Sequence, residues 1–202
     1  MEIYSIALKN KRNPNIFILH TDIGDFDFYS DILVRENITK GEIDSEKFFV
    51  AHEESLTIIA FNMATKYISS KLKTEQQIKD YLYKKEFHKI TVDAVVEKLK
   101  TYKIIDDANY VKSYVKANPM FSKNKLKQKL YASGVKSDVV ADSICEVDDY
   151  TSCLRHAEKY LRNKITDKQT IEKLIRRLQG MGYNWDAIKN ALNKINYETE
   201  EN

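Results

Sequence analysis

Two prolines and five glycines in 202 residues leave few chain breaks. A β-sandwich or barrel needs many glycine- and proline-marked turns, so the main body is not of that kind. Cysteine occurs twice, as Cys145 and Cys153. Both fall in segments that read as helical, and two free thiols in a reducing cytosol are the simplest account. The histidines His20, His52, His88 and His156 have no ligand spacing, so no metal is expected. No apolar run approaches the roughly 20 residues that span a bilayer. Met1 to Lys9 lacks a charged leader followed by an apolar stretch, so no signal peptide is expected and the location is cytoplasmic. There is no phosphate-cradling glycine loop and no nucleophile–base pair. The expectation is a protein that is not an enzyme and carries no cofactor.

What is present favours helix: 31% charged residues and 43% hydrophobic ones. The net charge is only +3, so any affinity for nucleic acid must come from local clustering.

The first fifty residues differ from the rest. Ile3, Ile6 and Leu8 stand in a β-like run, and Asn13-Pro14-Asn15 signals a turn. Ile16 to His20 is a second strand, and Ile23-Gly24 leads to a third through Phe26, Phe28 and Tyr29. A short helix follows from Ser30-Asp31 to Arg35. After Lys40-Gly41, Asp44 or Ser45 caps another through Val50. A small antiparallel sheet with one or two helices is expected.

From Ser55 onward the chain repeats itself. Ile78, Leu126 and Leu174 are separated by a step of 48 residues, as are Leu82, Leu130 and Leu178. Phe87, Val135 and Tyr183 follow the step, as do Val92, Val140 and Ile188. Val96, Ile144 and Leu192 continue it, and Leu99, Val147 and Ile195 end it. The hydroxyls Thr74, Ser122 and Thr170 share it and suggest helix starts. A preceding helix recurs at slightly shorter offsets, through Tyr67, Tyr114 and Tyr160, which are structural by their recurrence. Thr74 with Gln77, and Thr166 with Gln169, have capping-box spacing. Ser122, Ser137 and Asn184 suit N-caps, and Gly134, Gly180 and Gly182 suit helix ends. The fold class that follows is mainly α: three tandem three-helix repeats in an elongated curved array, behind a small N-terminal antiparallel β-rich domain. The boundaries are 1–54 for the β-rich domain, 55–105 and 106–147 for the first two repeats, and 148–202 for the third with its tail.

The copies differ in charge. The second carries Lys123, Lys125, Lys127 and Lys129, with no acid between Phe121 and Ser137. The third adds Arg155, Lys159, Arg162 and Lys164, then Lys168, Lys173, Arg176 and Arg177. Such cations can hold phosphates, although lysine is also an ordinary residue of a solvated helix face. Tyr102, Tyr110, Tyr131 and Tyr150 lie off the core positions and could stack on bases or pack between repeats. Trp185 reads as a packing anchor for the last helix. Asp106-Asp107 and Asp148-Asp149 precede helices, where capping is favoured over the converging carboxylates a two-metal nuclease needs.

Three stretches resemble the RecX family, the regulators of RecA. The first is Thr74-Glu75-Gln76-Gln77-Ile78-Lys79-Asp80-Tyr81-Leu82 with Ile104-Ile105-Asp106-Asp107-Ala108-Asn109-Tyr110-Val111. The second is Lys125-Leu126-Lys127-Gln128-Lys129-Leu130-Tyr131-Ala132-Ser133-Gly134-Val135. The third runs from Lys173-Leu174-Ile175-Arg176-Arg177-Leu178 to Asn184-Trp185-Asp186-Ala187-Ile188. The likeness extends from about Ser55 to Ile195. The β-rich segment looks like the sheet extension of longer family members. Two departures stand out. Lysines replace the arginines of the second repeat, which keeps the attraction to phosphate and loses bidentate geometry. Gln179-Gly180-Met181-Gly182 lacks the basic residue expected before glycine.

The resemblance implies a monomeric regulator that binds the RecA–DNA filament and inhibits RecA's ATPase, strand-exchange and coprotease activities. Its partners would be the RecA recombinase filament, single-stranded DNA and, second, double-stranded DNA, with no membrane. The expected contacts are Lys123, Lys125, Lys127, Lys129, Arg155, Lys159, Arg162, Lys173, Arg176 and Arg177. The alternative is a helical-repeat scaffold that binds protein alone.

Overall fold

A computed structural model describes residues 1–11 and 13–200. The chain divides into two compact units, with the division after Ile105.

The first unit opens with strands β1 (Glu2–Asn10), β2 (Asn13–Thr21) and β3 (Gly24–Tyr29), then helix α1 (Ser30–Arg35) and the short β4 (Gly41–Glu42). The sheet is antiparallel in the order β3-β2-β1-β4. Asn13-Pro14-Asn15 is not the turn: all three residues belong to β2, and Asn13 pairs with Asn10. Proline is tolerated because it stands second in the strand. Pairing with β3 begins only at Ile16, and the β1 register shifts between Leu8 and Asn10. Ile3, Leu19 and Phe28 are buried, one from each long strand, and Ile32, Phe48 and Ala51 cover them.

Phe48 and Ala51 belong to α2 (Ser45–Ile68), capped by the Asp44 carboxylate on the Lys47 N–H at 2.9 Å. The expected short helix through Val50 and the first helix of the repeats are therefore one 24-residue helix. The expected boundary between residues 54 and 55 falls inside it. Ser55 is a buried mid-helix residue whose hydroxyl accepts the Tyr29 N–H. That bond ties α2 to the end of β3. The C-terminal half of α2 packs through Ala60 and Ala64 onto α3 (Glu75–Tyr83) and α4 (Lys89–Thr101), against Ile78, Leu82, Val92, Val96 and Leu99. Thr74 and Gln77 form the capping box that their spacing predicts.

The second unit holds α5 (Asp107–Ala117), α6 (Lys123–Ala132), α7 (Ser137–Ile144), α8 (Asp149–Leu161), α9 (Lys168–Gly180) and α10 (Trp185–Glu200). Val111, Leu126, Leu130, Val140 and Ile144 form the core of the second repeat. Cys153, Ala157, Leu174, Leu178, Tyr183 and Ile188 form that of the third. The chain is thus mainly α, with three tandem three-helix repeats behind a small antiparallel sheet, as its periodicity requires.

Three caps differ from expectation. Asp167, and neither Thr166 nor Thr170, caps α9, accepting the Thr170 N–H at 2.8 Å. A carboxylate bonds that N–H as well as a hydroxyl does and also suits the positive end of the helix dipole. Lys136 occupies the N-cap of α7 without a side-chain bond, so Ser137 is already helical. Gly134 and Gly182 take the left-handed conformation that ends helices, with φ of 80° and 86°, whereas Gly180 is the last residue of α9.

Candidate nucleic-acid interface

The ten expected contact residues fall on three helices and their ends. On α6, the buried Leu126 and Leu130 set the inward face. At 100° per residue, Lys123 and Lys127 form one row beside that face, and Lys125 and Lys129 form a second row on its other side. Lys123, Lys125 and Lys127 are half-buried, their stems lying along the protein, and Lys129 is exposed. The four lysines therefore do not make a single stripe. On α8, Arg155 and Lys159 continue to Arg162 at the helix end, spaced four and three residues apart along one exposed side. On α9, Lys173, Arg176 and Arg177 share an exposed side opposite Leu174 and Leu178.

Among the described residues, none of these ten cations forms an ion pair with a carboxylate. In the first repeat two lysines are paired. There Lys79 lies 2.7 Å from Glu75, and Lys100 lies 3.5 Å from Glu75 and 3.0 Å from Glu97. Those bonds hold the Glu75 carboxyl below its usual range, chiefly through Lys79. Only Lys79 and Lys100 of the first copy are matched in this way; its other lysines, like the ten cations of the second and third copies, have no carboxylate partner among the described residues.

Two of the ten have local duties. The Lys123 ammonium donates to the Cys145 carbonyl at 3.3 Å, just past the end of α7, where a cation also meets the negative pole of the helix. The Arg177 Nε donates to His156 Nε2 at 2.9 Å. That bond requires a neutral imidazole with its proton on Nδ1. Burial, followed by the charges of Arg177 and Lys159, lowers the pKa of His156, in keeping with the neutral ring. Beside it, the Tyr160 ring carries Lys164 at 3.3 Å and Arg177 at 5.8 Å from its centroid. The arrangement gathers Arg177 and Lys164 at the α8–α9 pair, around an aromatic ring.

The second and third repeats are locked together at the start of α6. The Ser122 hydroxyl accepts the Lys125 N–H at 3.1 Å, and the Ser122 N–H donates to the Met181 carbonyl at 3.2 Å. The Tyr183 hydroxyl donates to the Met120 carbonyl at 2.9 Å. Asp149, at the start of α8, accepts the Lys123 N–H at 2.7 Å, so it caps a helix of the preceding repeat. Asp148 caps its own helix through the N–H groups of Tyr150 and Thr151. Gly182 completes the junction: a Cβ there would stand 2.6 Å from Ser122 Oγ and 3.0 Å from Lys125 Cβ.

Two aromatic expectations change. Tyr110 is buried in the core of the second repeat, while Tyr102, Tyr131 and Tyr150 are exposed. Trp185 is no anchor, being 56% exposed. The core of the third repeat closes on Tyr183, Ala187, Ile188 and Ala191 instead. Cys145 and Cys153 are both free, and burial pushes the Cys153 thiol up to about 11. Among the described residues no three metal-ligating side chains converge. No described helix is long and apolar enough to cross a membrane.

The family model described as "RecX, first three-helix domain" matches residues 60–99, which are the end of α2 with α3 and α4. The chain is 30% identical to "Regulatory protein RecX" of Clostridium botulinum (strain Eklund 17B / Type B), over 96% of this chain and 95% of the relative. The chain belongs to the RecX family. A regulatory protein RecX of Bacillus subtilis (strain 168) is 26% identical over 98% of this chain and 78% of its own length. A crystal structure of regulatory protein RecX shares the fold with a TM-score of 0.65 at 20% identity, covering 95% of this chain and 98% of that one. RecX from Lactobacillus salivarius superposes with a TM-score of 0.61 at 21% identity, over 70% of this chain and 97% of its own. The chain thus joins a family of regulatory proteins, and its 48-residue step is the sequence trace of the fold it shares with them.

Proposed function

We propose that this RecX chain binds the RecA–DNA filament and inhibits RecA's ATPase, strand-exchange and coprotease activities, so modulating recombination and repair. The observation that carries the reading is the set of cations on α6, α8 and α9 that no carboxylate engages. Lys79 and Lys100 of the first repeat are held by Glu75 and Glu97, whereas the ten named cations of the second and third repeats have no carboxylate partner among the described residues. Cations left this way release counterions from phosphates when they bind, which makes binding strong at low salt and weak at high salt. The junction at Gly182 and Asp149 holds the start of α6 against the third repeat. The action is by binding: Asp106, Asp148 and Asp149 are engaged in bonds to backbone N–H groups, and no covalent step is invoked.

The test is RecA ATPase activity on single-stranded DNA, measured across a range of concentrations of this protein. Inhibition that rises with concentration is expected. An unchanged rate would refute the filament role. Binding to a single-stranded oligonucleotide with no salt dependence would leave a scaffold that recognises protein alone.

A further inference from the structure

Trp185 is the one tryptophan of the chain, and folding leaves more than half of it in water. It opens α10 directly after Asn184, whose side chain accepts the Ala187 N–H at 2.8 Å. Ala187, Ile188 and Ala191 turn inward from α10. At 100° per residue, the indole stands on the flank of that buried face, with Lys189 one turn further on the same side. Asp186, the acid next to it, also faces away from the core, three residues from Lys189, with which it forms no ion pair among the described residues. Some aromatic rings of the second and third repeats already have partners. Tyr160 carries Lys164 and Arg177, and Tyr110 stacks on Tyr114 with centroids 6.2 Å apart. Trp185 has no ring or cation against it among the described residues.

Its position is fixed by the repeat junction. Met181 and Tyr183 are hydrogen-bonded to Ser122 and Met120, and Gly182 abuts Lys125. Three residues of chain reach at most about 10 Å, so Trp185 stands within that distance of Gly182, which itself meets the first turn of α6. Trp185 thus follows the junction by three residues, with Lys125 against Gly182 and Lys189 one turn along α10, and neither lysine has a carboxylate partner among the described residues. Single strands are bound by this combination: cations take the phosphates, and an aromatic ring takes the face of an unpaired base. A duplex keeps its bases stacked inside and has none to offer.

We propose that Trp185 is a stacking platform for an unpaired base of single-stranded nucleic acid, with Lys125 and Lys189 holding the flanking phosphates. The proposal rests on the DNA-binding reading above and adds a residue, a ligand conformation and a preference for single strands over duplex.

Trp185 supplies its own signal, being the sole source of tryptophan emission. The full chain is titrated with an end-labelled oligothymidylate and, separately, with a duplex of equal length. Label anisotropy reports binding, and tryptophan emission reports stacking. The expected result is quenching by the single strand in step with the anisotropy, and little change with the duplex. Trp185→Ala should weaken single-strand binding about tenfold, the scale of one missing base stack, and leave duplex binding and helicity unchanged. Anisotropy that rises while emission stays constant overturns the stacking role and leaves the DNA-binding reading intact. No rise in anisotropy at low salt overturns both. Quenching that appears only when RecA protein is added would assign the indole to a protein contact and overturn the proposal.

Discussion

Gly182 and Gly180 are two residues apart, and replacing each by alanine should change stability in opposite directions. Gly182 has a φ of 86°, where an L side chain costs about 1–2 kcal/mol because its Cβ crowds the following carbonyl. The new Cβ would also stand 2.6 Å from Ser122 Oγ and 3.0 Å from Lys125 Cβ. Ser122 cannot retreat without cost, since its hydroxyl caps α6 on the Lys125 N–H, and removing such a cap costs about 1 kcal/mol. The two effects together put Gly182→Ala at roughly 2–3 kcal/mol of destabilisation. At about 2–4 °C per kcal/mol for a chain of this length, the unfolding midpoint should drop by at least about 4 °C. Gly180 ends α9 with a helical backbone and open space around its missing Cβ. Gly180→Ala should therefore stabilise by up to about 1 kcal/mol, through the smaller entropy of the unfolded chain. Thermal unfolding of the full chain followed by circular dichroism measures both. A Gly182→Ala midpoint equal to that of the parent would refute the close approach of the two repeats.

Other outcomes follow from the cations and the buried imidazole. Replacing Lys123, Lys125, Lys127 and Lys129 together by alanine should leave helicity intact and lower the salt slope of single-strand binding by up to about 3, near 0.7 for each phosphate no longer neutralised. Lys129→Ala alone should account for more of that change than Lys123→Ala, whose ammonium is engaged at Cys145; equal slopes for parent and quadruple variant would refute the role of α6. His156 has its pKa lowered from the ordinary 6.5, mainly by burial. Its contribution to stability is complete above 6.5 and is lost as pH falls through the lowered value, because only the unfolded chain takes up the proton at first. His156→Gln, whose amide oxygen can still accept from Arg177, should lose less stability between about pH 7 and pH 5 than the parent. Identical pH profiles would count against a buried neutral ring. Part of the slope will persist in the variant, since burial lowers the pKa of His52 as well.

The core was legible because burial demands apolar residues at helical spacing. Ile78, Leu126 and Leu174 are all buried at 1% exposure or less, as are Leu82, Leu130 and Leu178. The caps were legible only where local spacing decides. Thr74 and Ser122 cap as their spacing predicts, but Asp167 displaces Thr170 because repetition of hydroxyls predicts nothing about a carboxylate placed three residues earlier. What one residue does for another repeat was not legible. Asp149 looks like half of a capping pair, and its partner in α6 exists only once the repeats have docked. Trp185 misleads for a related reason. A large apolar residue after a cap suggests packing, yet the inward positions of α10 begin at Ala187 and Ile188. Of the candidate interface, the cations of α6, α8 and α9 were visible in the spacing of lysines and arginines alone. The pairing of Lys79 and Lys100 with acids, and the local engagement of Lys123 and Arg177, required the fold.

The continuous helix α2 makes the sheet and the first repeat partners in a single folding event. Phe48 and Ala51 near its start complete the sheet's core, and Ala60 and Ala64 near its end complete the repeat's. A helix of about ten residues is marginal alone, so severing the chain near residue 54 would leave each core with a fragment too short to hold its shape. Damage in the sheet, such as removal of the Phe28 ring, should therefore spread along the helix axis to the first repeat. The hybrid helix turns an apparent appendage into part of the foundation on which the array begins.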